Sequence, residues 1–293
     1  MPWSGFEDTR VTVRETDYFL THGGDGPPVL LLHGFPQTHA CWSLVAPMLA
    51  RSHLVVAPDL RGYGDSHAPA GGPRGEGYTK REMAAELVDL MVGLGHRRFA
   101  VVGHDRGARV AYRMALDHPD RVARVAVLNV VPTLEQFERM GGGPSLGYWP
   151  WFLLAQPPPF PERLIGADPG ALLDHAFDTW TGDPAAIDTD HRAAYRAAMT
   201  PETIASMCAD YRASFHADRW HDADDRGTRR IAAPVLLVTG QDETQLADAP
   251  QVWARWTDDL TAMRLPGGHF IPEEAPEALG QALAVLLARH ERK

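Results

Sequence analysis

The pentapeptide Gly103-His104-Asp105-Arg106-Gly107 has the Gly-x-nucleophile-x-Gly pattern of a sharp strand-to-helix turn, with Asp where ester hydrolases carry Ser. Its small residues let the chain turn tightly, so that the central side chain projects from the sheet. Taken alone, the pattern also fits an Asp that caps a helix. Two further segments favour chemistry. Pro266-Gly267-Gly268-His269-Phe270 follows the last apolar run and offers His269 as a general base. His33-Gly34-Phe35-Pro36 follows an early one, where the backbone N–H groups of Phe35 and Arg106 can form an oxyanion hole. An Asp nucleophile sets the reaction class. It displaces a leaving group from a saturated carbon and becomes an alkyl ester, which a His-activated water then hydrolyses. Carbon–halogen bonds and epoxides both fit.

Arg106 and Arg109 bear on that choice. They lie in the first turn of the helix after Asp105, where a cation opposes the helix dipole at a cost of about 0.3–1 kcal/mol each if exposed. They are compensated either by acidic partners elsewhere or by an anionic substrate, since Arg grips a carboxylate in bidentate fashion. The second reading predicts a 2-haloacid, its carboxylate held so that the neighbouring carbon faces Asp105. Both cations should keep Asp105 ionised.

These groups need elements to position them. Apolar runs at Pro28–Gly34, His53–Asp59, Phe99–His104, within Val122–Val131, at Pro234–Gly240 and at Ala262–Pro266 read as strands. Runs apolar along their whole length suit a parallel sheet covered on both faces. Helical stretches at Thr79–Leu94 (opening with the capping box Thr-Lys-Arg-Glu), Gly107–His118 and Glu277–Arg289 separate or follow them. The expected fold class is α/β, with a mainly parallel sheet. Residues 1–133 and 230–293 would form its core. From 134 to 229 no strand pattern recurs, and Trp149, Trp151, Trp180 and Trp220 fall there. This stretch reads as an inserted helical cap, or else as a surface subdomain with its own small core. Insertion at the carboxyl end of a strand favours the cap.

Composition bounds the partners. The chain of 293 residues carries 28 Lys+Arg against 38 Asp+Glu, a net charge of −10. That argues against nucleic acid and anionic membranes, which need a basic face. No apolar stretch is long enough for a membrane span. Cys41 and Cys208 lie far apart and read as buried free thiols of a reducing, cytoplasmic compartment. No secretory leader pattern is visible. His216 and His221 lack further metal-ligand spacing, and no P-loop or H-E-x-x-H occurs, so neither metal nor cofactor is expected.

The four segments, with Asp59-Leu60-Arg61-Gly62-Tyr63-Gly64-Asp65-Ser66 as the fourth, match the α/β-hydrolase superfamily in order. Within it, His104 to Arg113 resembles the signature of the fluoroacetate (haloacetate) dehalogenases. The likeness extends to Phe152-Leu153-Leu154-Ala155-Gln156-Pro157, Asp210-Tyr211-Arg212-Ala213 and Gly268 to Glu274, and covers essentially the whole chain. It implies an α/β-hydrolase with a helical cap, typically a homodimer acting on a small haloacid. Asp105 would be nucleophile and His269 base. Arg106 and Arg109 would bind the carboxylate, and Trp151 and Tyr211 the departing halide.

Two positions depart from that family. Pro150 stands where the family has a His beside the halide-binding Trp, so one hydrogen bond to halide is lost and fluoride should suffer most. Asn129 stands at the family's triad Asp. The superfamily's other site for this acid, after the next strand, reads Gly240-Gln241-Asp242-Glu243. Asp242 is the expected acid, with Glu243 close behind and a plain loop carboxylate as the alternative. A second reading is an epoxide hydrolase, with Tyr211 and either Tyr148 or Tyr195 protonating the epoxide oxygen. A third is a non-catalytic binder of small carboxylates, against which stands the presence of both Asp105 and His269.

Overall fold

The six apolar runs are strands of one sheet, as their composition requires. In the computed structural model, which describes residues 3–141 and 143–289, they are β3 (Pro28–Leu32), β4 (Leu54–Pro58), β5 (Phe99–His104), β6 (Val122–Leu128), β7 (Val235–Gly240) and β8 (Leu260–Leu265). Two more precede them, β1 (Phe6–Val13) and β2 (Thr16–Gly23). The sheet order is β1-β2-β4-β3-β5-β6-β7-β8. β1 pairs antiparallel with β2 and β2 antiparallel with β4, while every pairing from β4 across to β8 is parallel. The β1–β2 hairpin carries no continuous apolar run. β1 is exposed or half-buried along most of its length, and an antiparallel edge strand alternates instead of burying both faces.

The central strands β5 and β7 are buried at every residue. Helices cover them on both sides. The helix Lys80–Gly93 starts at the expected capping box, with Thr79 accepting from the Glu82 N–H and Glu82 reaching back to the Thr79 backbone. The helix Arg106–Asp117 follows β5 directly and is buried from Arg106 through Leu116. The carboxyl ends of β3, β5, β6, β7 and β8 lie along one edge of the sheet, so their following loops meet there. This is where open parallel sheets bind ligands.

Between β6 and β7 the described residues form helices and turns and contribute no strand to the sheet. Their buried side chains, among them Trp151, Leu154, Leu173, Tyr195 and Tyr211, belong to the same continuous apolar cluster as the sheet. Both ends of this segment are tied to the helix Arg106–Asp117 through Asp222. Its carboxylate accepts from the Leu134 N–H at 3.1 Å, from Tyr112 Oη at 2.8 Å and from Arg113 Nη2 at 2.6 Å. Among the described residues no helix is long and apolar enough to cross a membrane.

Candidate active site

Asp105 sits at φ 44°, ψ −109°, a left-handed conformation that is strained for a residue with a side chain. The surroundings hold it there. Its N–H donates to Leu128 O at 3.2 Å, and the Gly107 N–H donates to His33 O at 2.9 Å. Gly34 makes room for it, since a Cβ there would lie 2.6 Å from Asp105 Cβ. Asp105 Oδ2 accepts from the Phe35 N–H at 3.1 Å, the donor expected from the sequence. His33 supports that loop, with Nε2 accepting from the Leu60 N–H at 2.9 Å and Nδ1 donating to Gly34 O at 3.0 Å. Burial alone would raise the Asp105 carboxyl. The charges of His269, Arg106 and Arg109 outweigh it and hold the group below the ordinary carboxylate range.

His269 lies in the loop after β8, and its backbone is held from several sides. Its N–H donates to Trp180 O at 2.8 Å in the helical segment. Its carbonyl accepts from Asn129 Nδ2 at 2.6 Å and from His104 Nε2 at 2.8 Å. A carbonyl can only accept, so the His104 proton is on Nε2; burial, then the neighbouring His269, pushes that imidazole down to about 3 and keeps it neutral. Glu274 takes the N–H groups of Gly268, Phe270 and, from the helical segment, Gly182, at 2.8, 2.8 and 2.7 Å. Asn129 therefore serves the loop's backbone and not the imidazole. It bonds Gly268 O and His269 O and accepts from the Gly240 N–H at 2.8 Å.

The carboxylate paired with the imidazole is Glu243, with Oε1 at 3.7 Å from His269 Nδ1. Asp242, the expected partner, is exposed, while Glu243 is buried. Residues 241–246 turn tightly after β7, with the Glu243 N–H bonded to Gly240 O and the Leu246 N–H to Glu243 O. In such a turn neighbouring side chains diverge, so the choice by one residue goes against the sequence reading. Burial opposes charge on His269, but the Glu243 carboxylate, with Asp105 adding to it, raises the imidazole above its ordinary value.

Of the two compensations the sequence left open, Arg106 shows the acidic partner, while Arg109 is held by neutral oxygens. Arg106 is fully buried and grips Asp210 in a fork, Nε to Oδ2 at 2.9 Å and Nη2 to Oδ1 at 2.7 Å, with Nη2 also 2.7 Å from Ser214 Oγ. Its Nη1 has no partner among the described residues. Arg109 Nη1 donates to Val131 O and Thr133 Oγ1, while its Nε is unpartnered. Asp210 also pairs with Lys80 Nζ and accepts from Tyr63 Oη at 2.8 Å. Sequence reading gave Asp210 and Lys80 no role, because no spacing links them to Arg106.

An aromatic wall closes the site. The Tyr211 ring packs edge-on against Trp151 at 5.3 Å and Phe35 at 5.5 Å. The Arg106 guanidinium lies 4.1 Å from the Tyr211 ring centre, and that of Arg109 lies 4.7 Å from Trp151. Burial, then the Asp105 charge, pushes the Tyr211 phenol up, so it remains an O–H donor. A cavity of about 930 Å³ is lined by Asp105, Arg109, Trp151, Tyr211, Glu243 and His269, among others. Pro150 and Tyr148 also line it. Tyr195 does not: its hydroxyl donates to Glu273 Oε1 at 2.9 Å, away from the cavity. No group of His, Cys, Asp and Glu among the described residues is arranged to hold a metal ion.

A strained nucleophile elbow on a mainly parallel sheet, with a His loop after the last strand, defines a class, and the chain belongs to the alpha/beta hydrolase fold family, whose model matches residues 27–276. Within that class it is 40% identical to a fluoroacetate dehalogenase of Burkholderia sp over 98% of this chain and 95% of that one. It is 32% identical to a soluble epoxide hydrolase of Corynebacterium sp over 87% of each. A solved structure from Nostoc sp PCC 7120, assigned to the alpha/beta hydrolases, superposes with a TM-score of 0.95 at 42% identity, covering 98% of this chain and all of that one. The resemblance read from the sequence is thus borne out at the level of family.

Proposed function

We propose that the protein hydrolyses the carbon–halogen bond of a small 2-haloacid, giving the 2-hydroxyacid, halide and a proton. The observation that carries this reading is the pair Arg106 and Arg109. Each keeps a guanidinium nitrogen without a partner beside an ionised Asp105, which is the arrangement an anionic substrate requires. Held by its carboxylate, the substrate presents C2 to Asp105. One Asp105 oxygen bonds C2 as the halide leaves with the C–X electron pair toward Trp151 and Tyr211. Alkylation removes the Asp105 charge, and with it one of the influences that raise His269, so the imidazole becomes a better general base at neutral pH only after the ester has formed. It takes a proton from water, the hydroxide adds to the ester carbonyl, and the Phe35 N–H holds the oxyanion. Collapse breaks the bond from the Asp105 carbonyl carbon to the substrate oxygen, which takes the proton held by His269; the hydroxyacid leaves, Asp105 gives up the added hydroxyl's proton and its carboxylate is restored. Residues 134–229 act as the cap over this chemistry, and a homodimer is the assembly proposed with it from family resemblance; sedimentation velocity tests the latter.

Glu243 is the acid of this triad in our reading. Glu243→Gln should lower turnover by about 10²–10⁴-fold, the range of a general-base contribution, whereas Asp242→Asn should leave it within about twofold. Loss of the Glu243 charge lets the His269 value fall. The acid limb of the pH profile, which marks protonation of the base, should therefore move to lower pH in the Gln variant. A limb that stays in place, or an inactive Asp242→Asn, would reverse the assignment.

Pro150 shapes the halide end. It lines the cavity and has no side-chain donor, so chloride and bromide should leave more readily than strongly hydrated fluoride. Chloroacetate should be turned over faster than fluoroacetate. Pro150→His should raise fluoroacetate turnover by about tenfold to a hundredfold, the worth of one hydrogen bond to a charged group. Ion-selective halide measurement reads both, and a wild-type preference for fluoroacetate would sink the argument.

Epoxide hydrolysis is the second reading, favoured by Tyr148 and Tyr211 lining one cavity. A neutral epoxide leaves Arg106 Nη1 and Arg109 Nε unused. Incubation with chloroacetate and with styrene oxide, following chloride and diol, separates the two. Neither product would point to a binder of small carboxylates.

A further inference from the structure

Gln136 is a buried polar group in the cavity wall that the chemistry above does not use. It lies on the helix Thr133–Arg139, is 3% exposed and lines the cavity, and its Nε2 has no hydrogen-bond partner among the described residues. A buried donor left unpaired is costly, and such groups in native proteins call for an explanation. Its neighbourhood supplies one. Thr133 precedes it by three residues, and so shares its helix face, and Thr133 Oγ1 accepts from Arg109 Nη1 at 3.2 Å. Gln136 therefore stands next to the proposed carboxylate clamp.

The size of the cavity points the same way. A volume of about 930 Å³ is at the upper end of the range of about 300–1,000 Å³ for pockets that enclose drug-sized ligands. A two-carbon acid fills a small part of it. With the carboxylate on the arginines, the halide on Trp151 and Tyr211, and Asp105 behind C2, the remaining substituent on C2 faces the rest of the wall. That wall holds Gln136, Thr179, Thr181 and Gln245, together with the carboxylates Asp242 and Glu243. Two carboxylates there disfavour a second anionic group on the substrate.

We infer that Gln136 is a specificity-determining residue, and that the preferred substrate is a 2-haloacid with a longer C2 side chain carrying a neutral hydrogen-bond acceptor, taken by Gln136 Nε2. This rests on the haloacid reading given above.

The test compares two acids that differ by one atom, 2-chloro-4-methoxybutanoate and 2-chlorohexanoate, with chloroacetate alongside. The wild-type protein should favour the ether over its hydrocarbon counterpart by about tenfold in kcat/KM. Gln136→Leu should bring that ratio to about one. Gln136→Met, of similar length but without the donor, should also lose the preference; it covers the case in which the Leu variant does not fold, and the ratio within one variant cancels differences in active fraction. A wild-type ratio near one, or a ratio that survives in both variants, overturns the inference. Chloride from chloroacetate but from neither longer acid overturns it as well and leaves the haloacid reading standing. No chloride from any of the three overturns the haloacid reading itself.

Discussion

Replacing His269 with alanine should trap the protein as an ester on Asp105. Displacement of halide needs the ionised Asp105 and the substrate clamp, and neither depends on a base. Hydrolysis of the ester needs the imidazole. One equivalent of halide should appear per chain on mixing with chloroacetate, steady turnover should fall by about 10²–10⁴-fold, and the intact mass should rise by one carboxymethyl group. Peptide mapping should place that group on Asp105. Removing the imidazole also removes the first of the charges that hold Asp105 ionised, so the burst should slow in acid more than its wild-type counterpart does. A variant that keeps multiple turnover, or that carries no adduct, would refute the covalent scheme.

Substituting Asp210 with asparagine should cost about 3–5 kcal/mol of stability, the usual penalty for breaking a buried ion pair by removing one partner. The two cations it faces respond differently. Burial, then the Arg106 and Arg109 charges, already push Lys80 well down, so Lys80 can shed its proton. Arg106 loses the carboxylate of its fork, and the cost falls on it. Arg106 also belongs to the proposed substrate clamp, so activity should fall together with the denaturation midpoint. Urea unfolding and chloroacetate turnover measure the two. An unfolding free energy within about 0.5 kcal/mol of wild type would mean that the fork around Asp210 is not the support described.

What could be read from the chain alone follows from how local each signal is. The strands β3 to β7 announce themselves as apolar runs because both their faces are covered, whereas β8, an edge strand exposed along much of its length, shows only a short one. The β1–β2 hairpin lies at the sheet edge and mixes polar with apolar residues, so it left no such run. The elbow and the His269 loop are each a short glycine-marked turn, and the residues that make the turn are the ones proposed to carry the chemistry. Asp210 could not be found in this way: its partners Lys80 and Arg106 come from two helices far from it in the chain, and no local pattern connects them. The one-residue choice between Asp242 and Glu243 lay beyond a local reading for a related reason. Both residues occupy the turn after β7, and which carboxylate meets the imidazole depends on the course of the turn. Asn129 stands at the triad-Asp position of the resembled family, yet its carboxamide clamps two loop backbones, a use its position in sequence did not reveal.

The backbone of the His269 loop is bonded directly to the helical segment, through the His269 N–H to Trp180 O and through Glu274 to the Gly182 N–H. The segment is therefore one part of a linkage, and the base is geared to it. A displacement at 180–182 large enough to widen the mouth must either break those bonds or drag the imidazole away from Glu243. Either way, a movement of residues 180–182 reaches the loop that carries His269 through two hydrogen bonds, while Asn129 and His104 hold the His269 carbonyl from the sheet side.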